Sequence, residues 1–290
     1  MDYLLRVTAA EGRIRGFFAR TNETVQRAHE NYKTTPVVTA ALGRTLTGTA
    51  IMGAMLKNDK DVLTVTIKGE GPVRGVIATA DSKGNVKGYA YEPHVILPLK
   101  ANGKLDVSGS IGEGTFSVIK DMGLKEPVSS NIPLASGEVA EDFTKYFAES
   151  EQTPSVVALG VLVERDLSVK QSGGFVVQLM PDAGEDVIAA LEARLSGIDT
   201  VTNMMEKGIG PEEMVEIILG GLEPVIHEKS EIRFLCNCSK ERAESALILI
   251  GKDEIEDIIE KEGQASIHCH FCNSYYNFSK AELGAILEDL

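Results

Sequence analysis

The sequence reads Cys236-Asn-Cys238 and, after thirty intervening residues, Cys269-His-Phe-Cys272. These are the four cysteines of a 290-residue chain, and all of them fall in its last fifth. Two closely spaced pairs, separated by the length of a small folded module, are typical of a four-thiolate zinc site. The alternatives are ordinary buried thiols or a fixed pair of disulfides. We predict one Zn²⁺ ion per chain, bound by all four cysteines.

The chemistry of this predicted site depends on its spacing and its neighbours. Two sulfurs in the tight Cys-x-Cys spacing of the first pair can bind a metal together or close on each other as a disulfide. Four thiolates fill a tetrahedron, so the site has no open position for a catalytic water. His268 and His270 flank Cys269, but alternation along a strand places their side chains opposite to that of Cys269. We leave both histidines outside the predicted ligand set.

The beginning of the chain indicates the compartment. Met1-Asp-Tyr-Leu-Leu-Arg-Val-Thr8 has no basic stretch followed by an apolar core and a small-residue cleavage site, as a secretory signal would. In a reducing cytosol, paired cysteines are metal ligands or redox sensors more often than permanent disulfides. Only Pro36 to Leu56 resembles a membrane span, and it contains Arg44 and three glycines. We expect a cytoplasmic protein without membrane association, and a buried helix or helix pair at this stretch.

Charge is distributed unevenly along the chain. The formal net charge is −14, from 29 Lys and Arg against 43 Asp and Glu. Residues 1–180 hold 20 basic and 20 acidic residues, whereas residues 181–290 hold 9 and 23. Nucleic-acid binding requires the opposite sign, because affinity comes largely from neutralising phosphates. We therefore expect no nucleic-acid partner for the cysteine module.

The first 180 residues have the pattern of an α+β domain. Helical patterns occur at residues 22–32, 36–57 and 139–150, the second opened by a proline suited to a helix start. Without strict strand-helix alternation, antiparallel sheets with packed helices are favoured over a parallel α/β sheet. Strands are predicted at 4–9, 13–20, 62–67, 73–80, 86–91, 115–120, 129–134, 156–163 and 174–180.

Two further segments complete the predicted organisation. Residues 181–228 form a helical linker with short helices at 187–195, 201–207 and 212–219, broken by glycines and carrying several methionines. Residues 229–290 form a small zinc-binding α+β domain. Within it, Ser239 is predicted to cap a helix, and capping boxes are predicted for Asp253 with Glu256 and for Ser279 with Glu282.

The sequence contains no positive sign of an enzyme. Gly69-Glu-Gly71-Pro-Val-Arg-Gly75 superficially resembles a phosphate loop, but it lies between two predicted strands and has no Gly-Lys-Ser/Thr ending. We interpret it as a tight turn. Residues 1–180 also lack any cysteine and any serine in a nucleophile-elbow setting. No nucleotide-binding loop is visible, so we expect any activity to be independent of ATP.

The sequence resembles a known family, the redox-regulated bacterial molecular chaperones of the heat-shock protein 33 family. The similarity extends over most of the chain and is most specific around the cysteines. The matching segments are Arg233-Phe-Leu-Cys236-Asn-Cys238-Ser-Lys-Glu-Arg242, Leu249-Ile-Gly251, Cys269-His-Phe-Cys272 with Tyr276 and Phe278, Tyr146-Phe-Ala-Glu-Ser-Glu-Gln152, and the Gly69-Glu-Gly-Pro72 turn.

The resemblance implies a holdase that is inactive when reduced and zinc-bound, with an N-terminal substrate-binding domain (residues 1–180). It implies that Cys236, Cys238, Cys269 and Cys272 are both the zinc ligands and the oxidised residues. We expect oxidation to pair near neighbours, Cys236 with Cys238 and Cys269 with Cys272. The expected partners are unfolded client proteins and, in the oxidised state, a second copy of the chain.

The main alternative is a zinc-stabilised interaction or regulatory module without redox change. A thiol-disulfide oxidoreductase is less favoured, because its dithiol normally lies at a helix N-terminus in a thioredoxin-like fold.

Overall fold

The computed structural model describes residues 1–288 and 290, and these residues form thirteen strands and ten α-helices. The predicted α+β class with antiparallel sheets is confirmed. The strands are β1 (Tyr3–Ala9), β2 (Ile14–Arg20), β3 (Val62–Gly69), β4 (Gly75–Asp81), β5 (Asn85–Ala90), β6 (Gly114–Asp121), β7 (Val128–Pro133), β8 (Ser155–Val163), β9 (Val169–Leu179), β10 (Val225–Glu231), β11 (Arg233–Phe234), β12 (Gln264–Cys269) and β13 (Ser274–Ser279). The helices are α1 (Asn22–Tyr32), α2 (Pro36–Gly53), α3 (Val107–Ile111), α4 (Ala140–Glu149), α5 (Glu185–Leu195), α6 (Val201–Glu206), α7 (Pro211–Leu219), α8 (Lys240–Ile250), α9 (Lys252–Lys261) and α10 (Lys280–Glu288).

The chain divides into two compact units, Met1–Leu235 and Cys236–Leu290. The sequence predicts a different division, into functional segments 1–180, 181–228 and 229–290. This division stays a prediction. One local difference is clear. Residues 225–228, which the sequence analysis assigned to a helical linker, lie in β10, and β10 pairs antiparallel with β1. The end of the predicted linker is therefore an edge strand of the first unit.

The first unit contains two sheets. The five-stranded sheet has the order β10-β1-β2-β9-β8, and the six-stranded sheet has the order β11-β5-β4-β3-β6-β7. The short pairing of β11 with β5 is parallel, and the other pairings in both sheets are antiparallel. The Gly69 to Gly75 segment connects β3 to β4, which confirms its interpretation as a turn.

Helix α2 lies between the two sheets and is the centre of the main core. It contacts β8 and β9 of one sheet and β3, β4 and β5 of the other, and all but two of its residues are buried. Three buried threonines on this helix, Thr45, Thr47 and Thr49, each donate a hydrogen bond to the backbone carbonyl four residues earlier. Their hydroxyls are thereby satisfied without water, which allows polar residues in an apolar layer.

No helix among the described residues is both long and apolar enough to cross a membrane.

The opposite face of the five-stranded sheet is covered by helices α5, α6 and α7. Phe18 and Phe175 stack on this face with ring centroids 5.6 Å apart. Met204, Met205 and Met214 from α6 and α7 are buried in the same apolar cluster. Helices of six to eleven residues have little stability alone, so this packing is what keeps them folded.

The second unit is a two-stranded hairpin, β12 and β13, surrounded by α8, α9 and α10. Two predicted caps are confirmed. The Ser239 side chain accepts from the Arg242 backbone, and Ser279 and Glu282 exchange hydrogen bonds. The predicted box at Asp253 is wrong: α9 begins one residue earlier, after Gly251, which has no side chain to form a cap. The second unit has a small buried core, which consists of Ala243, Leu247, Ile255, Phe278, Leu283 and Ile286.

The packing of α2 yields a testable prediction. A Cβ added at Gly48 would lie 2.5 Å from the ring of Phe143 on α4, too close for any real contact. We expect Gly48→Ala to destabilise the protein by about 1–3 kcal/mol through overpacking, although alanine is the better helix former by roughly 1 kcal/mol. Chemical denaturation followed by circular dichroism measures the change.

The control is a double-mutant cycle with Phe143→Leu, which removes the ring that Gly48 contacts. The two substitutions are in contact and should therefore be non-additive, with Gly48→Ala costing much less in the Phe143→Leu background. Additive effects would contradict the assigned packing.

Candidate metal centre

The four cysteines come together in the second unit. Cys236 and Cys238 precede α8, Cys269 ends β12, and Cys272 lies in the turn before β13. Their sulfur atoms all lie within 4.8 Å of one another, and each cysteine is half-buried and free of a disulfide. Among the described residues, this is the group of cysteine, histidine and acidic side chains placed to hold a metal ion.

The sulfur positions fit a tetrahedral zinc ion. The Cys236 and Cys269 sulfurs are 3.6 Å apart, and the Cys238 and Cys272 sulfurs are 3.2 Å apart. Zinc–sulfur bonds of about 2.3 Å place the sulfurs of a tetrahedron roughly 3.8 Å apart. The observed spacings require only small adjustments. Four cysteine thiolates are also the donor set that soft-ligand structural zinc sites use.

A local turn aligns the second cysteine pair. The Asn273 backbone N–H donates to the Cys269 carbonyl over 2.8 Å. Asn273 has a positive φ of 60°, a left-handed conformation that asparagine tolerates better than most residues. This turn reverses the chain between β12 and β13 and brings the Cys269 and Cys272 side chains to the same side.

Two polar residues, Tyr276 and Ser274, form hydrogen bonds with the sulfurs. The Tyr276 hydroxyl donates to Cys238 Sγ over 3.0 Å, and Cys272 Sγ lies 3.3 Å from Ser274 Oγ. Such outer hydrogen bonds orient metal ligands and adjust their electron density. From the sequence, Tyr276 was only part of a segment that matches the family, and Ser274 had no predicted role. Ser274 and Tyr276 lie two and four residues after Cys272 on the predicted hairpin. Hydroxyl side chains at this spacing from a predicted ligand are a signal from which these contacts could have been predicted.

The thiol forms of these cysteines differ in acidity. Burial raises the pKa of the Cys236 thiol and also that of Cys238. Burial opposes ionisation of Cys272 as well, but hydrogen bonds with Ser274 and Cys238 outweigh it and lower the pKa of Cys272 to about 7. The hydrogen bond to Cys238 raises the pKa of Tyr276 to about 12. Cys272 therefore becomes a thiolate, the form that binds metal and reacts with oxidants, more readily than Cys236 or Cys238.

The two flanking histidines lie outside the sulfur cluster. His268 Nε2 is 2.8 Å from Asn273 Oδ1, and its ring stacks on Tyr275 with centroids 4.5 Å apart. The His270 ring meets the His268 ring edge-on, 4.7 Å away. Neither belongs to the group whose ligand atoms converge. This placement agrees with the strand alternation from which the sequence analysis left them out.

Comparison with known proteins gives a consistent result. A family model described as "Hsp33 protein" matches residues 2–279. A 33 kDa chaperonin from Clostridioides difficile is 53% identical, with 100% of this chain and 99% of the relative covered. One from Agathobacter rectalis is 52% identical, with 97% and 98% covered. The crystal structure of the 33 kDa chaperonin (heat shock protein 33 homologue) of Thermotoga maritima has a TM-score of 0.91 and 37% identity, with 99% of this chain and 98% of that chain covered. Because the family model and these relatives match nearly the whole chain, this chain belongs to the Hsp33 family.

Proposed function

We propose that this protein is a cytoplasmic, redox-regulated holdase chaperone that is inactive when reduced and zinc-bound. The observation that carries the proposal is the convergence of four sulfurs within 4.8 Å in a unit with a very small buried core. Such a cluster binds a metal when reduced and loses it when oxidised. The stability of the unit thereby becomes dependent on redox state.

The metal contributes most of the stability of the second unit in this proposal. Cys236, Cys238, Cys269 and Cys272 bind one Zn²⁺ per chain, and Tyr276 supports Cys238. Structural zinc supplies roughly 10–16 kcal/mol of apparent binding free energy, which is comparable to the whole net stability of an ordinary domain, about 5–15 kcal/mol. A 55-residue unit with six buried core residues does not remain folded after such a loss.

Oxidation converts the four thiolates into two disulfides and releases Zn²⁺. This step removes four electrons, which two molecules of hydrogen peroxide accept with four protons to give four waters. Although the nearest sulfurs in the reduced form belong to different pairs, 33 and 34 residues apart in sequence, the loosened chain favours its sequence neighbours. Closing a short loop costs less chain entropy than closing a loop of about 34 residues, although the tight Cys236–Cys238 ring is strained. We therefore propose the pairs Cys236–Cys238 and Cys269–Cys272.

Unfolding of the second unit then frees the segment that precedes it. The chain runs from α7 through β10 and β11 directly into Cys236. Helices α5, α6 and α7 are short, and β10 is an exposed edge strand, so this part of the first unit is the easiest to open. Its release uncovers the apolar sheet face around Phe18 and Phe175 together with the methionines that cover it. Unfolded clients and a second subunit bind these surfaces.

The charge distribution favours this mechanism. The net −14 charge resides in residues 181–290, and self-repulsion keeps the released segment expanded and soluble. The same negative charge disfavours nucleic acid as a partner. No nucleotide is required in this mechanism, because the energy of the switch comes from thiol oxidation.

The first prediction of this proposal concerns the metal. The protein purified under reducing conditions should hold one zinc per chain, measured by elemental analysis. A Cys236→Ser/Cys238→Ser double variant should lose stoichiometric, tight zinc because two of four ligands are missing. Retention of tight zinc by this variant would refute the four-thiolate assignment.

Tyr276→Phe is the matched control for the metal prediction. It removes only the hydroxyl that donates to Cys238 and keeps the ring. We expect one zinc per chain, with affinity reduced by about 10-fold to 100-fold, the usual effect of losing an outer hydrogen bond. Competition with a chromogenic chelator measures the difference.

The second prediction concerns the disulfides. Treatment with hydrogen peroxide should release one zinc per chain and give Cys236–Cys238 and Cys269–Cys272 linkages in peptide mass mapping. Predominant cross-pairs, such as Cys236–Cys269, would show that the folded cluster and not the loosened chain determines the pairing.

The third prediction tests the function itself. The oxidised protein should suppress aggregation of a chemically unfolded test protein without ATP, and the reduced protein should not. Limited proteolysis should show new cleavage beyond about residue 181 on oxidation, with residues 1–180 still protected. Suppression that is equal in both redox states would favour the alternative, a zinc-stabilised interaction module without a switch. Suppression with unchanged protection of residues 182–290 would refute the unfolding mechanism.

A further inference from the structure

A small cleft in the first unit is unconnected with the cysteine chemistry. It lies beside the Tyr146 to Gln152 segment, which the sequence analysis singled out and the proposed function does not use. Its volume is about 140 Å³. Strands β2, β6 and β9, helix α4 and the end of α2 contribute residues to it.

One wall of the cleft is apolar. Met52, Met55, Leu56 and Phe147 line it, and Met52 and Phe147 are buried. A cavity of roughly 150 Å³ with aliphatic and aromatic walls is large enough for a benzene-sized molecule. The cleft therefore has room for a group of about six to eight non-hydrogen atoms.

The other wall carries a carboxylate that is already paired. Glu151 accepts hydrogen bonds from Lys120 Nζ and from the Tyr146 hydroxyl. Burial disfavours its charged form, but the bond from Lys120 outweighs that effect and lowers the pKa of Glu151. Glu151 is therefore ionised at neutral pH, and its charge is offset by that of Lys120.

Arg15, in contrast, has no carboxylate partner. Its Nε and Nη2 donate to the neutral Gln178 Oε1 over 3.2 and 2.6 Å. Gln178 is 1% exposed and is held in turn by a hydrogen bond to Ser155. Among the described residues, no Asp or Glu oxygen lies within 4.0 Å of the Arg15 guanidinium. The Arg15 side chain lines the cleft.

A second guanidinium increases the positive potential. The Arg6 and Arg15 guanidinium carbons lie 6.0 and 5.5 Å from the centroid of the same Phe17 ring. Burial and then the charge of Arg6 lower the pKa of Arg15, which remains protonated at neutral pH. Arg6, Arg15 and Lys120 against Glu151 leave an excess of two positive charges. Arg6 is exposed and Arg15 is half-buried. The charge of Glu151 acts on Arg15 from beyond ion-pair distance and favours its charged form, and an anion in the cleft would add a direct ion pair.

We propose that this cleft binds a carboxylate attached to a small branched apolar group. The carboxylate binds Arg15, and the apolar group of four to six carbons occupies the wall formed by Met52, Met55, Leu56 and Phe147. Two sources share this chemistry: the C-terminal leucine-like residue of a polypeptide, and a free short-chain carboxylic acid. All the residues involved lie in the first unit, so the inference does not depend on the redox proposal.

The test uses the full-length reduced protein labelled with ¹³C at its methionine methyl groups. Met52 and Met55 report on the cleft, and Met204, Met205 and Met214, on the other face of the five-stranded sheet, are internal controls. Titration with 4-methylpentanoate should shift only the cleft signals and saturate, with a dissociation constant on the order of a millimolar for so small a ligand. The isosteric 4-methylpentanamide should bind at least about tenfold more weakly, because it lacks the charge that Arg15 recognises.

Two peptides distinguish the sources. Ala-Ala-Leu with a free C-terminus and the same peptide amidated are titrated in the same way. Saturating shifts with both the acid and the free-ended peptide support the shared chemistry. Binding of the acid alone supports a small-molecule ligand, and binding of the peptide alone supports a chain end. Equal binding of acid and amide, or no saturable shift with any of these ligands, would overturn the proposal.

Arg15→Gln provides the matched variant. It should weaken 4-methylpentanoate at least about tenfold, whereas Arg20→Gln, an exposed arginine on the same strand β2, should leave affinity unchanged. Equal effects of the two substitutions would indicate a general charge effect and would refute the site. If Arg15→Gln does not fold, the comparison of acid with amide on the unaltered protein still decides the question.

Discussion

The convergence of four sulfurs is the interaction on which the second unit of this protein depends. Two of them precede α8 and two belong to a hairpin, and a turn at Asn273 brings the hairpin pair into place. The unit buries few large apolar side chains around Phe278. In the proposed function, coordination supplies what hydrophobic packing supplies elsewhere, since small domains bury too little surface to be stable alone. A unit held in this way would respond directly to the oxidation state of its ligands.

The first unit is organised on the opposite principle. Helix α2 is enclosed between two sheets, and its close contacts involve small residues such as Gly48 and threonines whose hydroxyls bond within the helix. This packing requires no metal and no cysteine. In the proposed mechanism, this central packing therefore stays intact when the metal is lost. The short helices α5, α6 and α7 lie on the outer face of the same unit, where they depend on tertiary contacts more than on their own propensity.

Electrostatics further distinguishes the parts of the chain. The acidic excess is confined to residues 181–290, where it disfavours compaction once the metal is lost. Residues 1–180 carry equal numbers of basic and acidic residues, but these charges do not cancel at every place on the surface. Arg15 and Arg6 approach the same aromatic ring without a carboxylate within ion-pair distance. The cleft beside Glu151 is consequently positive within a neutral segment, and a net-charge count could not have revealed it.

The sequence by itself determined the features that local pattern encodes. Ligand type and spacing identified the four cysteines, alternation placed His268 and His270 outside the cluster, and capping residues located α8 and α10. The tertiary structure alone decided that β10 pairs with β1, that α2 lies between two sheets, that Tyr276 donates to Cys238 and that Arg15 has no carboxylate partner. The contacts join residues far apart in sequence, about 40 positions for Tyr276 and Cys238 and more than 200 for β10 and β1. No local signal specifies which strand edge, helix face or side chain such a residue will meet, because that outcome depends on how the whole chain excludes water and satisfies its buried polar groups.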